Sequence, residues 1–249
     1  MTHKTKGIVL RTIKYGETSI VATILTEVFG VQTYLINGVR KTQKKDSKAI
    51  MLQPAAILDL DVYHNELKSL QRIKSCSWSK LYTHILSDVV KNSIATFMVE
   101  LIYKSLKQPE DNPDLFYFCE DAFLNLDESE INVAANFPLY FSLQLPYFLG
   151  FKIEPIKNNP ISIQDIYLDL QEGFFTDHKP FHNHFIQGEL ALITAELLKV
   201  MHHSELNQIR LNKETRRLLL TAFQQYFGLH VQDFGQMKTL KIMQDVLGS

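Results

Sequence analysis

The most concentrated group of charged side chains in this sequence is a basic run that begins at residue 40. Only Asp46 opposes the cations of this run, which are Arg40, Lys41, Lys44, Lys45 and Lys48. Cations that follow a series of short strands are typical of a surface that binds polyanions. Such a run is as often a solvated face that binds no ligand. Its interpretation therefore depends on the residues of neighbouring segments.

Cations and aromatic residues on neighbouring segments favour the polyanion interpretation. The cations are Arg11, Lys14, Arg72 and Lys74. They would neutralise phosphate groups, and the counterions released would drive binding. Three tyrosines are candidates for stacking on bases, an interaction that needs no sequence preference: Tyr15, Tyr34 and Tyr63. Each of them also suits an ordinary place in a core or on a surface.

A second group of side chains that could do chemistry is the histidine-rich segment DHKPFHNH. Its histidines, His178, His182 and His184, have a spacing that can bind zinc. No carboxylate or thiolate stands at a second fixed spacing to complete a tetrahedral set, so a solvated polar loop is the favoured interpretation. Nucleophile elbows, Walker loops, GxGxxG and HExxH motifs are all absent. A metal-dependent hydrolase that uses these histidines is kept as an alternative function.

The distribution of charge along the chain divides the sequence in two. Residues 1–80 contain 13 Lys and Arg against 6 Asp and Glu, a net charge of +7. Residues 81–249 contain 13 against 21, a net charge of −8. The basic part is therefore the candidate for contact with nucleic acid, and the acidic part is free for protein partners. A protein–protein adaptor that binds no DNA is the second alternative.

Cysteine usage and hydropathy point to a cytoplasmic protein. The two cysteines, Cys76 and Cys119, lie far apart and form no CxxC pair, so neither a disulfide framework nor a cysteine zinc site is expected. The N-terminus has no apolar targeting region, and no run of about 18 apolar residues suggests a membrane span. No membrane partner is therefore expected.

The elements that must position the cations are short strands in residues 1–80. Runs at 8–13, 19–26 and 31–37 are separated by turns with Gly16 and Gly30, and LDLDVY alternates apolar and polar residues over 58–63. The fifth run, 67–80, has a spacing that is as helical as it is strand-like. Five strands predict a small Greek-key barrel such as an OB-fold, and an SH3-like barrel fits nearly as well.

The remaining residues, 81–249, predict an α-helical domain, which gives an α+β protein. Apolar residues recur there at steps of three and four, and the run at 133–150 is apolar all round, with Pro138 and Pro146 expected to break or kink it. Residues 151–188 are rich in Pro, Asn and Gly, which predicts a small irregular or β insertion.

Three stretches of the chain resemble the RecO family of bacterial DNA repair and recombination-mediator proteins. They are KGIVLRTIKYGETSIVATILTEVFG, the following GVRK with its lysine-rich continuation, and LQPAAILDLDVYHNELKSLQRIK. The later stretch NFPLYFSLQLPYFLGF resembles that family's central helix, which leads into its zinc-ribbon region. The positions that match the family's DNA surface are Arg11, Lys14, Arg40 and Lys41, with Arg72 and Lys74 close by.

The resemblance implies a fold, an activity and partners. It implies an N-terminal OB-fold that binds single- and double-stranded DNA, annealing of complementary strands, and help in loading recombinase onto strands coated by single-strand-binding protein. The implied partners are RecR and the acidic C-terminal tail of single-strand-binding protein, and the implied location is the nucleoid of a bacterial cell. No catalytic residue and no cofactor is implied.

The sequence departs from the family pattern in residues 151–188. Many members carry two CxxC pairs in this region, whereas this sequence has no cysteine there. A ribbon-like insertion that holds no zinc is therefore predicted.

Overall fold

The computed structural model describes residues 2–37, 48–106, 108, 110–156 and 166–248. The chain divides into two compact units. The first combines Met1–Leu86 with Ile102–Asp127, and the second combines Ser87–Leu101 with Glu128–Ser249. The first unit thus includes a helical segment that the sequence alone assigned to the domain after residue 80.

Five strands build the first unit. They are β1 (Thr2–Tyr15), β2 (Ser19–Thr26), β3 (Gly30–Ile36), β4 (Ile57–Tyr63) and β5 (Leu70–Lys80), with a short helix α1 (Lys48–Met51) before β4. Gly16 and Gly30 have positive φ angles in the turns on either side of β2, as the sequence predicts. The fifth run is a strand from Leu70, and its helical spacing is misleading because Leu67 lies in the preceding loop and Leu70 faces outward, whereas Ile73 packs on the core.

The strands close into a barrel in the order β1-β2-β3-β5-β4. Neighbours are antiparallel except β3 and β5, which pair in parallel, and β1 closes the barrel by pairing with both β2 and β4. This is an OB-type barrel, which confirms the OB-fold prediction over the SH3-like alternative.

The interior of the barrel is filled by alternate residues of each strand. The buried core includes Val9, Ala22, Ile24, Tyr34, Leu58, Leu60 and Val62. In β4 the three apolar residues of LDLDVY point inward and Asp59 is exposed, as the alternation predicts. In β5 a bulge at Lys74 shifts the inward positions from Ile73 to Cys76, because an extra residue reverses the alternation of a strand.

Helix α3 (Pro113–Glu128) belongs to the first unit and is tied to β1 and to the segment after β5. Lys6 Nζ on β1 donates to Glu120 Oε1 at 2.9 Å. Asp127 accepts hydrogen bonds from the backbone N–H groups of Thr83, His84 and Ile85 at 2.7–2.8 Å. These contacts fix the helix against the strand end through charge-assisted bonds.

The second unit is mainly helical. Helix α2 (Val89–Ser105) is followed, after α3, by α4 (Ile131–Phe148), α5 (Glu189–Leu198), a 3₁₀ helix (His203–Gln208), α6 (Lys213–His230) and α7 (Lys238–Gly248). Pro138 and Pro146 lie inside α4, which continues through both and is not broken as expected. Both prolines are buried, and packing of this largely buried helix offsets the loss of two backbone donors.

The predicted insertion contains a small sheet. Strands β6 (Tyr167–Asp169), β7 (Phe174–Thr176) and β8 (Phe185–Gln187) form a three-stranded antiparallel sheet with β6 in the centre. Within the described ranges, no helix is long and apolar enough to cross a membrane.

Candidate nucleic-acid interface

Two rows of outward-facing side chains cross the strands β1, β2, β3 and β5. One row follows the cross-strand partners Arg11, Thr23, Thr33 and Leu70. The second follows Ile13, Val21, Leu35 and Arg72, and continues to Tyr63 on β4. We call this surface the arginine wall. It contains no carboxylate in either row, and it corresponds to the sheet face with which OB-folds bind oligonucleotides.

Arg11 is held on the arginine wall by a neutral partner. Its Nη1 donates to the hydroxyl of Tyr103 at 3.1 Å, and the guanidinium carbon lies 5.7 Å from the centroid of that ring. The contact orients the guanidinium over an aromatic face but does not neutralise its charge. Arg72 is exposed, and among the described residues neither arginine forms an ion pair. Both charges therefore remain available to an anionic ligand.

The other two described cations are exposed but differ in orientation. Lys14 pairs with Ile20, an inward-facing residue of β2, so it lies on the opposite side of the hairpin from Arg11. Lys74 is the bulged residue of β5 and lies at the edge of the arginine wall, next to Arg72. The structure thus places Arg11 and Arg72 on the arginine wall with Lys74 at its edge, and it leaves Lys14 on the opposite side of the hairpin.

The three candidate stacking tyrosines do not share one environment. Tyr15 and Tyr63 are exposed at 56% and 48% of their surface, and Tyr63 ends one row of the arginine wall. Tyr34 is completely buried in the barrel core, and burial raises the pKa of its phenol. The prediction of base stacking is therefore wrong for Tyr34, because its position in β3 alternates with the outward Thr33 and Leu35.

The basic run falls almost wholly outside the described residues. This holds for Arg40, Lys41, Lys44 and Lys45. Lys48 begins α1, and its side chain also lies outside the description.

A loop that the sequence did not single out completes the arginine wall. Residues 64–69 connect β4 to β5, and we call them the β4–β5 loop. A cleft of about 660 Å³ opens between this loop and the wall, and it is lined by Leu35, Tyr63, His64, Asn65, Lys68, Leu70, Gln71 and Arg72. The sequence predicts a turn at 64–66, but Lys68 and Leu70 were missed because residues 67–80 were taken as one element and the loop extends to residue 69.

An adjoining part of the barrel's outer surface has the same kind of charge but a different electrostatic setting. We call it the lysine–aspartate wall, formed by Lys4 and Lys6 of β1 with Asp61 and Asp59, their cross-strand partners on β4. The hydrogen bond from Lys6 to Glu120 raises the pKa of that lysine against the opposing effect of burial. Opposite charges stand face to face here, so this wall offers little net attraction to a polyanion.

The histidine-rich segment does not form a metal site in the described part of the chain. His182 Nε2 lies 3.1 Å from Asp169 Oδ2, whereas His184 Nδ1 contacts the Gln225 amide at 2.7 Å. His178 is exposed and has Asp177 as its partner. Among the described residues, no three His, Cys, Asp or Glu side chains are grouped so that they could hold an ion. The donors present do not fit the zinc of a cysteine ribbon, since each histidine is directed to a separate partner.

Taken together, the barrel and its arginine wall define a protein of the OB-fold class that carries uncompensated arginines and an exposed aromatic ring on its outer sheet surface. Residues 1–82 match the family described as "Recombination protein O N terminal", and residues 86–155 match "Recombination protein O C terminal". The chain belongs to the RecO family of DNA repair proteins.

Curated relatives agree with this assignment over nearly the whole chain. The chain is 30% identical to a DNA repair protein RecO of Azobacteroides pseudotrichonymphae over 246 residues, which cover 99% of both proteins. It is 30% identical to that of Bacteroides fragilis over 247 residues and 28% identical to that of Flavobacterium psychrophilum over 246 residues, again at 99% of each chain. The family is one of DNA repair mediators and not of enzymes, which excludes the hydrolase alternative.

Proposed function

We propose that the arginine wall and the β4–β5 loop bind single- and double-stranded DNA, and that the protein uses this contact to anneal complementary strands. Helping to load recombinase onto DNA coated by single-strand-binding protein is the role that the family resemblance implies. RecR and the acidic tail of single-strand-binding protein are the implied protein partners. These activities place the protein at the nucleoid in the bacterial cytoplasm.

The observation that carries the proposal is the pair of uncompensated arginines on one barrel face. Arg11 and Arg72 belong to adjacent rows of the wall, with Thr33, Leu35 and Leu70 between them and with Tyr63 at the end. A backbone phosphate is attracted to each guanidinium, while a base can rest on the apolar and aromatic side chains. Phosphate contacts carry no sequence information, so binding is expected to be sequence-tolerant.

Annealing follows from electrostatics and needs no chemical step. Two DNA strands repel each other, and a cationic surface lowers the cost of bringing them together by releasing counterions and by holding both backbones close. If about five phosphates are engaged, log K should fall against log salt with a slope of about −3.5 for a single strand.

The proposal is tested by charge reversal on the arginine wall. Arg11→Glu with Arg72→Glu is expected to weaken binding of a labelled 30-nucleotide strand by about thirtyfold and to make the salt slope shallower by about 1.4. Fluorescence anisotropy at two or more salt concentrations measures both quantities. Lys4→Glu is the matched control, since it reverses an exposed cation of the same barrel on the lysine–aspartate wall.

The control separates a local contact from a general effect of charge. Lys4→Glu changes the net charge by half as much as the double variant, so a loss of log K half as large would show that only net charge matters. Unchanged affinity in the double variant would remove the arginine wall as a DNA site and favour the adaptor alternative.

A further inference from the structure

The β4–β5 loop is built to hold one apolar side chain in solvent. Leu67 lies in this loop and is 96% exposed. A leucine in a pliable loop would be free to fold back onto nearby apolar surface, because burial of such a side chain stabilises by about 2 kcal/mol. The loop around Leu67 is instead fixed by hydrogen bonds, so the exposure is a property of its geometry.

One buried side-chain amide makes most of the hydrogen bonds that fix the loop. Gln71 of β5 is only 3% exposed, and its Nε2 donates to the carbonyl oxygens of Asn65 and Lys68 at 2.8 and 2.5 Å. Its Oε1 accepts from the N–H of Asn65 at 3.0 Å. A buried side-chain amide with all these bonds to one loop specifies the loop conformation, since breaking them would leave buried polar atoms unpaired.

Asn65 adds a second restraint nearer to the tip. Its Oδ1 accepts from the N–H of Leu67 at 2.9 Å, and its carbonyl oxygen accepts from the N–H of Lys68 at 3.0 Å. This is an Asx-type turn, in which the side chain replaces a backbone acceptor. The tip of the loop is thereby fixed beside a second cleft, of about 840 Å³, that Leu67 and Lys68 line together with Glu66 and Asp111.

We infer that Leu67 contacts the face of an unpaired base and that Gln71 is the positioning residue that holds it there. The inference rests on the proposed function and adds to it a preference for single-stranded over double-stranded DNA. Base faces are hidden by stacking within a duplex and are accessible in a single strand, so an apolar contact beside phosphate-binding cations favours single strands. Lys68 lines both clefts beside the loop, with Arg72 in the first and with Leu67 and Glu66 in the second, so the apolar side chain has a cation next to it.

The test compares a labelled 30-nucleotide oligothymidine with a duplex of equal length at one salt concentration. Leu67→Ser is expected to weaken binding of the single strand about fivefold and binding of the duplex less than twofold. Loss on both substrates to the same extent, or no loss on the single strand, would overturn the contact assigned to Leu67.

The role of Gln71 is tested by a double-mutant cycle. Gln71→Met is expected to weaken single-strand binding by a similar factor, and Leu67→Ser added to it should then cost less than twofold. Gln224→Met is the matched control, because Gln224 Oε1 on α6 accepts a single bond, from the Met237 N–H at 3.3 Å, and belongs to the other compact unit. Additive losses in the cycle would overturn the positioning role.

Two further measurements show whether the Gln71 variant is folded and whether the arginine wall binds DNA. Thermal melting shows whether Gln71→Met remains folded, and Asn65→Ala replaces it in the cycle if it does not, since that change removes a loop restraint at an exposed position. Reversal of Arg11 and Arg72 is measured in the same assay. If that reversal leaves DNA binding intact, the proposed function has failed; if it weakens binding, the Leu67 result alone decides this inference.

Discussion

The two walls of the barrel carry the same kind of charge and differ in what faces it. Arg11 and Arg72 stand in rows whose other members are neutral, whereas Lys4 and Lys6 stand opposite Asp61 and Asp59. Glu120 of α3 adds a further carboxylate to the second wall. The lesson is that the net charge of the first 80 residues says little about where a polyanion binds, because strand register decides which cations are neutralised.

The largest expected effect comes from the basic run that follows β3. Reversal of Lys41, Lys44 and Lys45 to Glu removes three cations and adds three anions, and it is expected to weaken DNA binding by about a hundredfold without unfolding the protein. A salt titration by fluorescence anisotropy with a circular dichroism melt measures both results. Unchanged affinity at matched salt would show that the arginine wall acts without the run.

A second variant tests what keeps α3 in place beside the lysine–aspartate wall. Burial opposes ionisation of Asp127, but the N–H groups of Ile85, Thr83 and His84 outweigh this and lower the pKa of its carboxyl. Asp127→Asn keeps one acceptor and loses the charge, so it is expected to cost about 2 kcal/mol in the free energy of unfolding. Urea denaturation measures this difference.

The pH dependence of this contact has a definite sign. A carboxyl whose pKa is lowered in the folded protein stabilises it above the unfolded pKa of about 4, and this contribution is lost as the pH falls through the folded value. The wild-type protein should therefore lose stability between pH 5 and about pH 3 more steeply than Asp127→Asn. Parallel losses in the two proteins would mean that other carboxyls dominate acid unfolding.

Much of the barrel could be predicted from the sequence because its pattern is local. The alternation in LDLDVY and the glycines of two turns define strands without reference to the rest of the chain. The spacing at 67–80 was ambiguous because Leu67 belongs to the loop and Leu70 faces outward, and only pairing with β3 and β4 shows where the strand begins. The place of α3 with the barrel depends on contacts such as Lys6 to Glu120, over a hundred residues apart in sequence.

The sequence predicted which kinds of residue form the candidate site but not how the fold arranges them. Cations are visible in a sequence, and Arg11, Arg72 and Lys74 do meet on one surface. Burial of a single tyrosine is not visible in a sequence, so Tyr34 remained a candidate for base stacking although it fills the core. Lys68 was overlooked because a single cation in a turn gains meaning only when the fold places it beside Arg72.

The smallest expected effect comes from removing the carboxylates that distinguish the two walls. Asp59→Asn with Asp61→Asn leaves Lys4 and Lys6 without their cross-strand carboxylates, although Lys6 keeps Glu120. If the cross-strand carboxylates are what prevents this wall from attracting DNA, the affinity for a 30-nucleotide strand should rise about threefold. The slope of log K against log salt should steepen by somewhat less than 1. Ser75→Ala, which removes only the hydroxyl that donates to Asp61 at 3.0 Å, is the control for local disturbance. A double variant that binds DNA no better than Ser75→Ala would show that neutralisation does not explain the contrast, and that the shape of the arginine wall and its β4–β5 loop must account for it.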